Sequence, residues 1–341
     1  MVHLIYSDWI KRKQEEALKW QINDPGDNDD GGFQAEKEND VGGTWITAET
    51  LYILLKYKIL EPSDNRIQRA KAWLLRHRNL GGDYGDGWPL INKGNSFIDT
   101  TSLTVMALSF FLEDEEVIDA ITKAKNWILD NQNDDYGWGI WKYEDSLVSA
   151  TSLTLLALKA IQNIFNDNRI ESALQSGTAW LKLAQNKKSG LWGFTQDAKE
   201  TNNASTCQAV TTLIELGEEP KKFQAAFKSF EVEFKNNGTW KTIQESYILK
   251  YFGEGLEQRT FWFNAPKVVS AMISYAKNKP HDLYIKQIIE ATDSLKKFDN
   301  FNNTAQMTDV SMDQLNFRTW ASVQELRALL DTQSYLQEHL E

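Results

Sequence analysis

Three carboxylates fall where the chain passes from a Gly-aromatic turn into an apolar, Thr/Ser-rich segment. They are Asp99 in FIDTTS, and Glu144 and Asp145 in KYEDSLVSATS. Two carboxylates across a cleft are the apparatus of glycoside hydrolysis, about 5 Å apart for retention and about 6.5–9.5 Å apart for inversion. Asp99 with Glu144 or Asp145 is the pair this sequence offers. The position also has a plainer use, because an Asp ahead of a helix satisfies orphan N–H groups and complements the helix dipole. Ser149 and Asn203 occupy comparable places, and Ser and Asn are also caps. Metal chemistry has little support. Zinc needs three or four converging ligands, whereas His3, His77, His281 and His339 lie near the termini or in charged segments, away from Cys207. No metal and no cofactor is expected. The lone Cys207 falls at a Ser/Thr position of the pattern and reads as a small buried residue. DNDDGG (Asp27 to Gly32) resembles a piece of a calcium loop but lacks the later Glu, and reads as an acidic turn. The cations suited to a diphosphate (Lys93, Lys142, Lys199, Lys267 and Arg318) are scattered.

The elements that must position these groups repeat along the chain. The clearest copies run from Gly87 to Leu108, Gly137 to Leu158 and Gly190 to Leu213, with a fainter one from Gly31 to Leu54. Amphipathic segments with a charged face alternate with apolar ones. The first set covers Asp8–Gln21, Asn65–His77, Asp114–Gln132, Asn168–Gln185, Lys221–Lys235 and Asp282–Phe298. Trp20, Trp73, Trp127 and Trp180 stand near the ends of four of these, spaced by 53, 54 and 53 residues, and Phe230 takes that place in the fifth. The apolar set covers Ile46–Tyr57, Thr100–Leu112, Ala150–Ile161, Ser205–Leu216, Ala265–Lys277 and Thr319–Leu330. Its anchors are Leu54, Leu108, Leu158 and Leu213, continued by Met272 and Leu326. A helix apolar nearly all round is buried. The expectation is therefore six antiparallel pairs with the charged helices outside. An open stack would need polar end repeats. The first and last apolar helices are as apolar as the middle ones, so the pairs should close into a ring. The fold class is all-α, an (α/α)6 toroid in one domain over residues 1–341, with an insertion at 241–263.

The pattern resembles the prenyltransferase and squalene-cyclase repeat family. Its Gln-Trp signature is matched in GTAWLKLAQNKKSGLW through Gly177, Trp180, Leu181, Gln185, Gly190 and Trp192, and NWILDNQNDDYGW keeps Trp127, Gln132, Gly137 and Trp138. In that family the Gln and Trp tie outer helices to the following turn, so the resemblance makes these tryptophans structural. It also implies two kinds of chemistry. The zinc site of the protein prenyltransferases finds no counterpart. The acid box of the class II terpene cyclases, which protonates an alkene or epoxide, is met only in part: laying Thr101 on the box threonine puts Asp99 at the acid, while Phe97 and Thr100 replace the two other acids.

In such a toroid the inner helix N-termini surround one mouth of a central cavity. The candidate catalytic residue there is Asp99, and the candidate ligand-binding residues are Trp45, Glu49, Asn95, Tyr143, Asp145, Asn203, Trp262, Arg318 and Trp320. Aromatic rings with a few polar groups suit an apolar, isoprenoid-type ligand with one polar handle. The leading expectation is a cyclase-like isomerase. Two alternatives are a non-catalytic relative that binds a ligand or a protein at the rim, and a sugar-active (α/α)6 hydrolase or lyase. A net charge of −11 argues against a nucleic-acid partner. No segment has the length and apolarity of a membrane span, and the N-terminal residues lack a signal-peptide pattern, so the expected location is cytoplasmic.

Overall fold

The computed structural model describes residues 6–34, 42–141, 144–240, 243–249, 256–262, 264–277, 282–298 and 319–340. Twelve α-helices alternate between two layers. The outer ones are α1 (Ser7–Lys19), α3 (Asn65–Arg76), α5 (Glu115–Asp130), α7 (Asn168–Leu183), α9 (Gln224–Asn237) and α11 (Asp282–Ser294). The inner ones are α2 (Thr44–Lys56), α4 (Ile98–Leu108), α6 (Val148–Ile161), α8 (Asn203–Glu215), α10 (Asn264–Ala276) and α12 (Thr319–Leu340). The expected alternation of outer and inner helices holds in all six pairs. The insertion contributes the one departure from a purely helical chain among the described residues. It is an antiparallel hairpin of β1 (Ile243–Leu249) and β2 (Leu256–Trp262), with Ile243 opposite Trp262 and Leu249 opposite Leu256.

The two layers start their helices by different means. The outer helices α3, α5 and α7 use acidic caps. Asp64 accepts from the Arg66 N–H at 2.9 Å, Asp114 from Glu116 at 3.0 Å and Asp167 from Arg169 at 3.0 Å, which satisfies first-turn donors that have no partner inside the helix. The inner helices α2, α4 and α6 have Gly43, Phe97 and Leu147 at the cap position and no side-chain cap. Their first N–H groups instead donate to carbonyls of the next repeat's turn: Ile98 to Ile140 at 2.8 Å, Val148 to Phe194 at 2.9 Å and Trp45 to Leu90 at 3.3 Å. These three inner helices are thus capped by the next repeat, whereas α8 is capped by Asn202, whose Oδ1 accepts from the Ser205 N–H at 2.8 Å. With caps supplied from outside the Thr and Ser residues, α2, α4, α6 and α8 begin two residues before the positions expected from them, and their Thr hydroxyls have another task.

That task is to hold the Gly-aromatic turn. The backbone N–H of Trp88 donates to Thr101 Oγ1 at 2.9 Å, that of Trp138 to Thr151 at 2.9 Å and that of Trp192 to Thr206 at 3.1 Å. In the first copy Phe33 donates to Thr47 at 2.8 Å. The turn indoles then reach back to the end of their own outer helix. Trp88 Nε1 donates to the Leu74 carbonyl at 2.6 Å, Trp138 to Ile128 at 2.9 Å, Trp192 to Leu181 at 2.7 Å and Trp240 to Phe230 at 2.9 Å. The second set of tryptophans, on the outer helices, lies against the preceding turn. A Cβ on Gly32 would stand 2.6 Å from Trp73, one on Gly85 2.6 Å from Trp127 and one on Gly137 2.8 Å from Trp180. Turn, inner helix and following outer helix are therefore locked in one pattern.

The ring closes through α12, which packs against α1, α2 and α10. Lys13 of α1 pairs with Glu325 of α12 at 3.0 Å, both deeply buried. Gln324 Nε2 donates to Glu49 Oε1, and the Tyr57 hydroxyl donates to Asp331 Oδ1. Gln324 and Glu49 stand at one height across the seam, which sets the register of α12. Glu49 is five residues before its anchor Leu54, so the counterpart anchor is Leu329, one turn beyond the expected Leu326. Both leucines are fully buried, and burial alone does not separate them. The helix also continues past the expected Leu330 to Leu340.

Two substitutions probe this frame. Thr151→Val leaves the buried Trp138 N–H without its acceptor and should cost about 1–3 kcal/mol. Gly137→Ala brings a methyl within 2.5 Å of Ser146 and 2.8 Å of Trp180, and should cost a similar amount, about 1–3 kcal/mol. Urea denaturation midpoints read both, and wild-type midpoints would show that the turns do not carry stability.

Candidate active site in the central cavity

A cavity of about 230 Å³ lies inside the inner ring. Its lining is arranged in tiers. Glu49, Leu103, Leu153, Gln208 and Lys267 each stand five residues before the anchor of their helix, and Gln324 stands five before Leu329. Tyr52, Met106, Leu156, Thr211, Ser270 and Arg327 stand two residues before those anchors. Spacings of three and four residues keep successive tiers on one helix face. The last-turn tier includes Lys56, Ala160 and Glu215. Lys159, Ala160 and Glu215 are exposed, so the cavity opens at the C-terminal ends of the inner helices, opposite the end framed by the turn–helix junctions.

Of the residues expected from sequence, Trp45 and Glu49 line this cavity. Asp99 lies outside its lining, half-buried in the first turn of α4, with Oδ1 accepting from the Thr100 N–H at 2.6 Å. It is the second residue of the helix, and the cap position belongs to Phe97. Asn95 and Asp145 are exposed in the connecting loops. Asn203 Nδ2 donates to Glu233 of α9 at 2.8 Å. Tyr143 and Arg318 lie outside the described residues, as do the side chains of Trp262 and Trp320. His77, one of the rejected zinc candidates, stacks on Trp73 at 4.0 Å in the outer layer. Among the described residues no cluster of His, Cys, Asp and Glu could hold a metal ion.

Of the residues that make the cavity polar and cationic, the sequence marked Lys267, as one of the scattered cations, but not Gln324, Arg327, Gln208 or Thr211. The tier spacing was the available signal. Projecting position five before each anchor selects Glu49, Gln208 and Lys267 directly, but α12 required the anchor shift to Leu329.

Glu49 is the central group. It is buried, Trp45 Nε1 donates to its Oε2 at 3.2 Å, and Gln324 donates to its Oε1. Burial raises its pKa above the ordinary carboxylate value, against the opposing pull of Lys267, Arg327 and the Trp45 hydrogen bond. Both protein partners are donors, so the proton of the neutral form bonds to neither and is available to a group in the cavity. Arg327 is held in its charged form: burial opposes the charge, but Tyr57, Asp331, Tyr52 and Glu49 raise its pKa. Its contact to Asp331 is long, at 3.9 Å, and its buried Nε has no hydrogen-bond acceptor. Tyr57, which bonds Asp331, is raised well above the usual phenol value by burial and then by Asp331. The Cys207 thiol is pushed up by burial and stays protonated. Ser152 Oγ lines the cavity, buried and without a partner.

Residues 35–192 match the squalene-hopene cyclase C-terminal domain. The match covers somewhat under half of the chain and marks this stretch as similar to that domain. No curated protein sequence matches it. The cellobiose 2-epimerase of Spirochaeta thermophila superposes with a TM-score of 0.66 at 13% identity, over 99% of this chain and 100% of that one. A sugar epimerase from a ruminal bacterium gives 0.67 at 12% identity, over 96% and 98%. An alpha-1,6-mannanase from Salegentibacter gives 0.62 at 14%, over 97% and 99%. At these identities the likeness establishes the toroid fold. No helix of the described residues is long and apolar enough to cross a membrane.

The raised pKa of Glu49 has a measurable consequence. An unfolded glutamate releases its proton near about pH 4.3, while the folded chain holds it to higher pH. Above that value the folded state binds more protons than the unfolded one, so this group's contribution to stability falls as pH rises. Glu49→Gln removes the titration, and the variant's urea midpoint should fall less than wild type between about pH 4 and about pH 7. Parallel pH profiles would mean that Glu49 is ionised in the native protein.

Proposed function

We propose that the chain is a sugar-active enzyme that binds its substrate in the central cavity and moves a proton through Glu49. The observation that carries this reading is a buried carboxyl that faces a small polar cavity and whose hydrogen-bond partners, Trp45 and Gln324, are both donors. A group with a pKa raised toward working pH suits general acid–base catalysis. Gln208, Gln324, Thr211, Ser152 and Ser270 offer donors and acceptors to a hydroxyl-rich ligand, and Trp45 and Tyr52 offer ring faces. The toroids it resembles include two sugar epimerases and a mannanase, which supports the same class of substrate.

The cyclase-like reading meets resistance from the cavity. A cascade of carbocations needs dry aromatic walls, whereas Lys267 and Arg327 place positive charge inside this one. The volume of about 230 Å³ is below the roughly 300–1,000 Å³ of drug-sized ligand sites and suits a small ligand better than a long isoprenoid. Two-carboxylate hydrolysis is also less favoured than single-group proton transfer. Among the described residues the other lining carboxylate, Glu215, lies seven positions further along the tiers than Glu49, about 10 Å at 1.5 Å of rise per residue.

The test is turnover of a panel of aldoses, disaccharides and oligosaccharides, followed by proton NMR in D2O to read product formation and exchange at sugar carbons. Glu49→Gln should slow any turnover by about 10²- to 10⁴-fold, with binding retained. If no sugar reacts and an isoprenoid is cyclised in a manner lost in Asp99→Asn, the cyclase-like reading replaces this one.

A further inference from the structure

The cavity has two unlike sides. The inner helices follow one another round the ring as α2, α4, α6, α8, α10 and α12, and α12 returns to α2. So α4 stands opposite α10, and α6 opposite α12. In the two deeper tiers α4 presents Leu103 and Met106, and α6 presents Leu153 and Leu156. Across from them stand Lys267 and Ser270 of α10 and Gln324 and Arg327 of α12, flanked by Thr211 of α8 and Glu49 of α2. Two contacts fix the rotation of α6. On one flank Ser102 Oγ of α4 and Thr154 Oγ1 of α6 are 3.0 Å apart. On the other, Thr212 Oγ1 of α8 donates to the Ser152 carbonyl at 3.5 Å. Leu153 lies between these flanks, and Leu156 stands three residues on, over the same face. Both are half-buried, and the surface they keep open is turned to the cavity. Ser152, which also lines the cavity, marks the α8 edge of this wall. The aromatic rings of Trp45 and Tyr52 on α2 are placed to meet the face of a sugar ring. The four aliphatic side chains are left for a substituent that carries no hydrogen-bonding atom. A cavity of about 230 Å³ keeps that substituent small.

We propose that the substrate is a 6-deoxyhexose, seated with its methyl group on the wall of Leu103, Met106, Leu153 and Leu156 and its hydroxyls toward α10 and α12. This rests on the sugar-active reading above and names its substrate class. Seating the methyl group removes apolar surface from water on both partners. The 6-hydroxyl of the parent hexose, laid on the same wall, gives up its bonds to water and finds no partner on those four side chains. An aliphatic pocket discriminates against an analogue that adds one hydroxyl by about 10²-fold. No covalent step is implied by the binding itself.

Isothermal titration calorimetry of the full chain tests this with matched pairs that differ by the 6-hydroxyl alone: L-rhamnose against L-mannose, L-fucose against L-galactose, D-fucose against D-galactose, and D-quinovose against D-glucose. The expected result is that at least one deoxy sugar binds about 10²-fold more tightly than its own parent. Leu153→Ser and Leu156→Ser each add a hydroxyl that can pair with the parent's oxygen, so in these variants the preference should fall below about tenfold. Circular dichroism and thermal melts show whether each variant is folded. If one is not, the other decides, and if neither is, the wild-type pairs decide alone. Parent hexoses that bind as tightly as their deoxy partners overturn the inference and leave the sugar reading standing. A preference that survives undiminished in either folded variant also overturns it. Silence from every sugar at high millimolar concentration removes both the inference and the sugar reading.

Discussion

A threonine hydroxyl on an inner helix, accepting the backbone N–H of the turn that precedes it, is the constraint on which this molecule is built. The bond recurs at Thr47, Thr101, Thr151 and Thr206. It fixes where each turn stops and where each inner helix begins. It also places the turn's following carbonyls where the preceding inner helix can use them as a cap. The tryptophans then fill the space this arrangement defines, one ring bonded within its own repeat and another laid on the turn before. Position in the cavity follows from that, because the rotation of each inner helix is set at its first turn.

Much of this order was legible in the sequence because it repeats. The six pairs, the inner and outer assignment and the structural tryptophans all follow from spacing. The helix starts were less legible. A Thr or Ser at the head of an apolar run resembles a cap, and here the hydroxyls serve the turn while neighbouring carbonyls do the capping. That partner is distant in sequence and leaves no local mark. The α12 register was hidden for a similar reason: Leu326 and Leu329 are equally apolar, and only the cross-seam bond from Gln324 to Glu49 separates them.

The candidate site was half legible. Trp45 and Glu49 were marked as cavity residues, whereas attention to Asp99 came from a partial acid box at the head of α4. Lys267 was marked only as one of several scattered cations, and Arg327 escaped notice, because each sits inside a predominantly apolar helix, where one charge in a turn looks like a solvated face. Their meaning depends on what stands opposite, and a closed ring brings together residues as far apart in the chain as Glu49 and Arg327. Charge in the cavity is therefore a property of the ring rather than of any repeat.

The seam at α12 has a consequence for how the molecule comes apart. In an open stack of repeats, the end units are held on one side and fray first, so melting proceeds inward along the array. Here α12 lies against α1 and α2 as well as α10, and every inner helix has two neighbours. There is no outermost unit at which loosening can begin at low cost. Opening at any point exposes two apolar faces at once, and opening at the seam also undoes the contact from Gln324 to Glu49. Integrity of the ring and the placement of Glu49 are thus tied together at the seam.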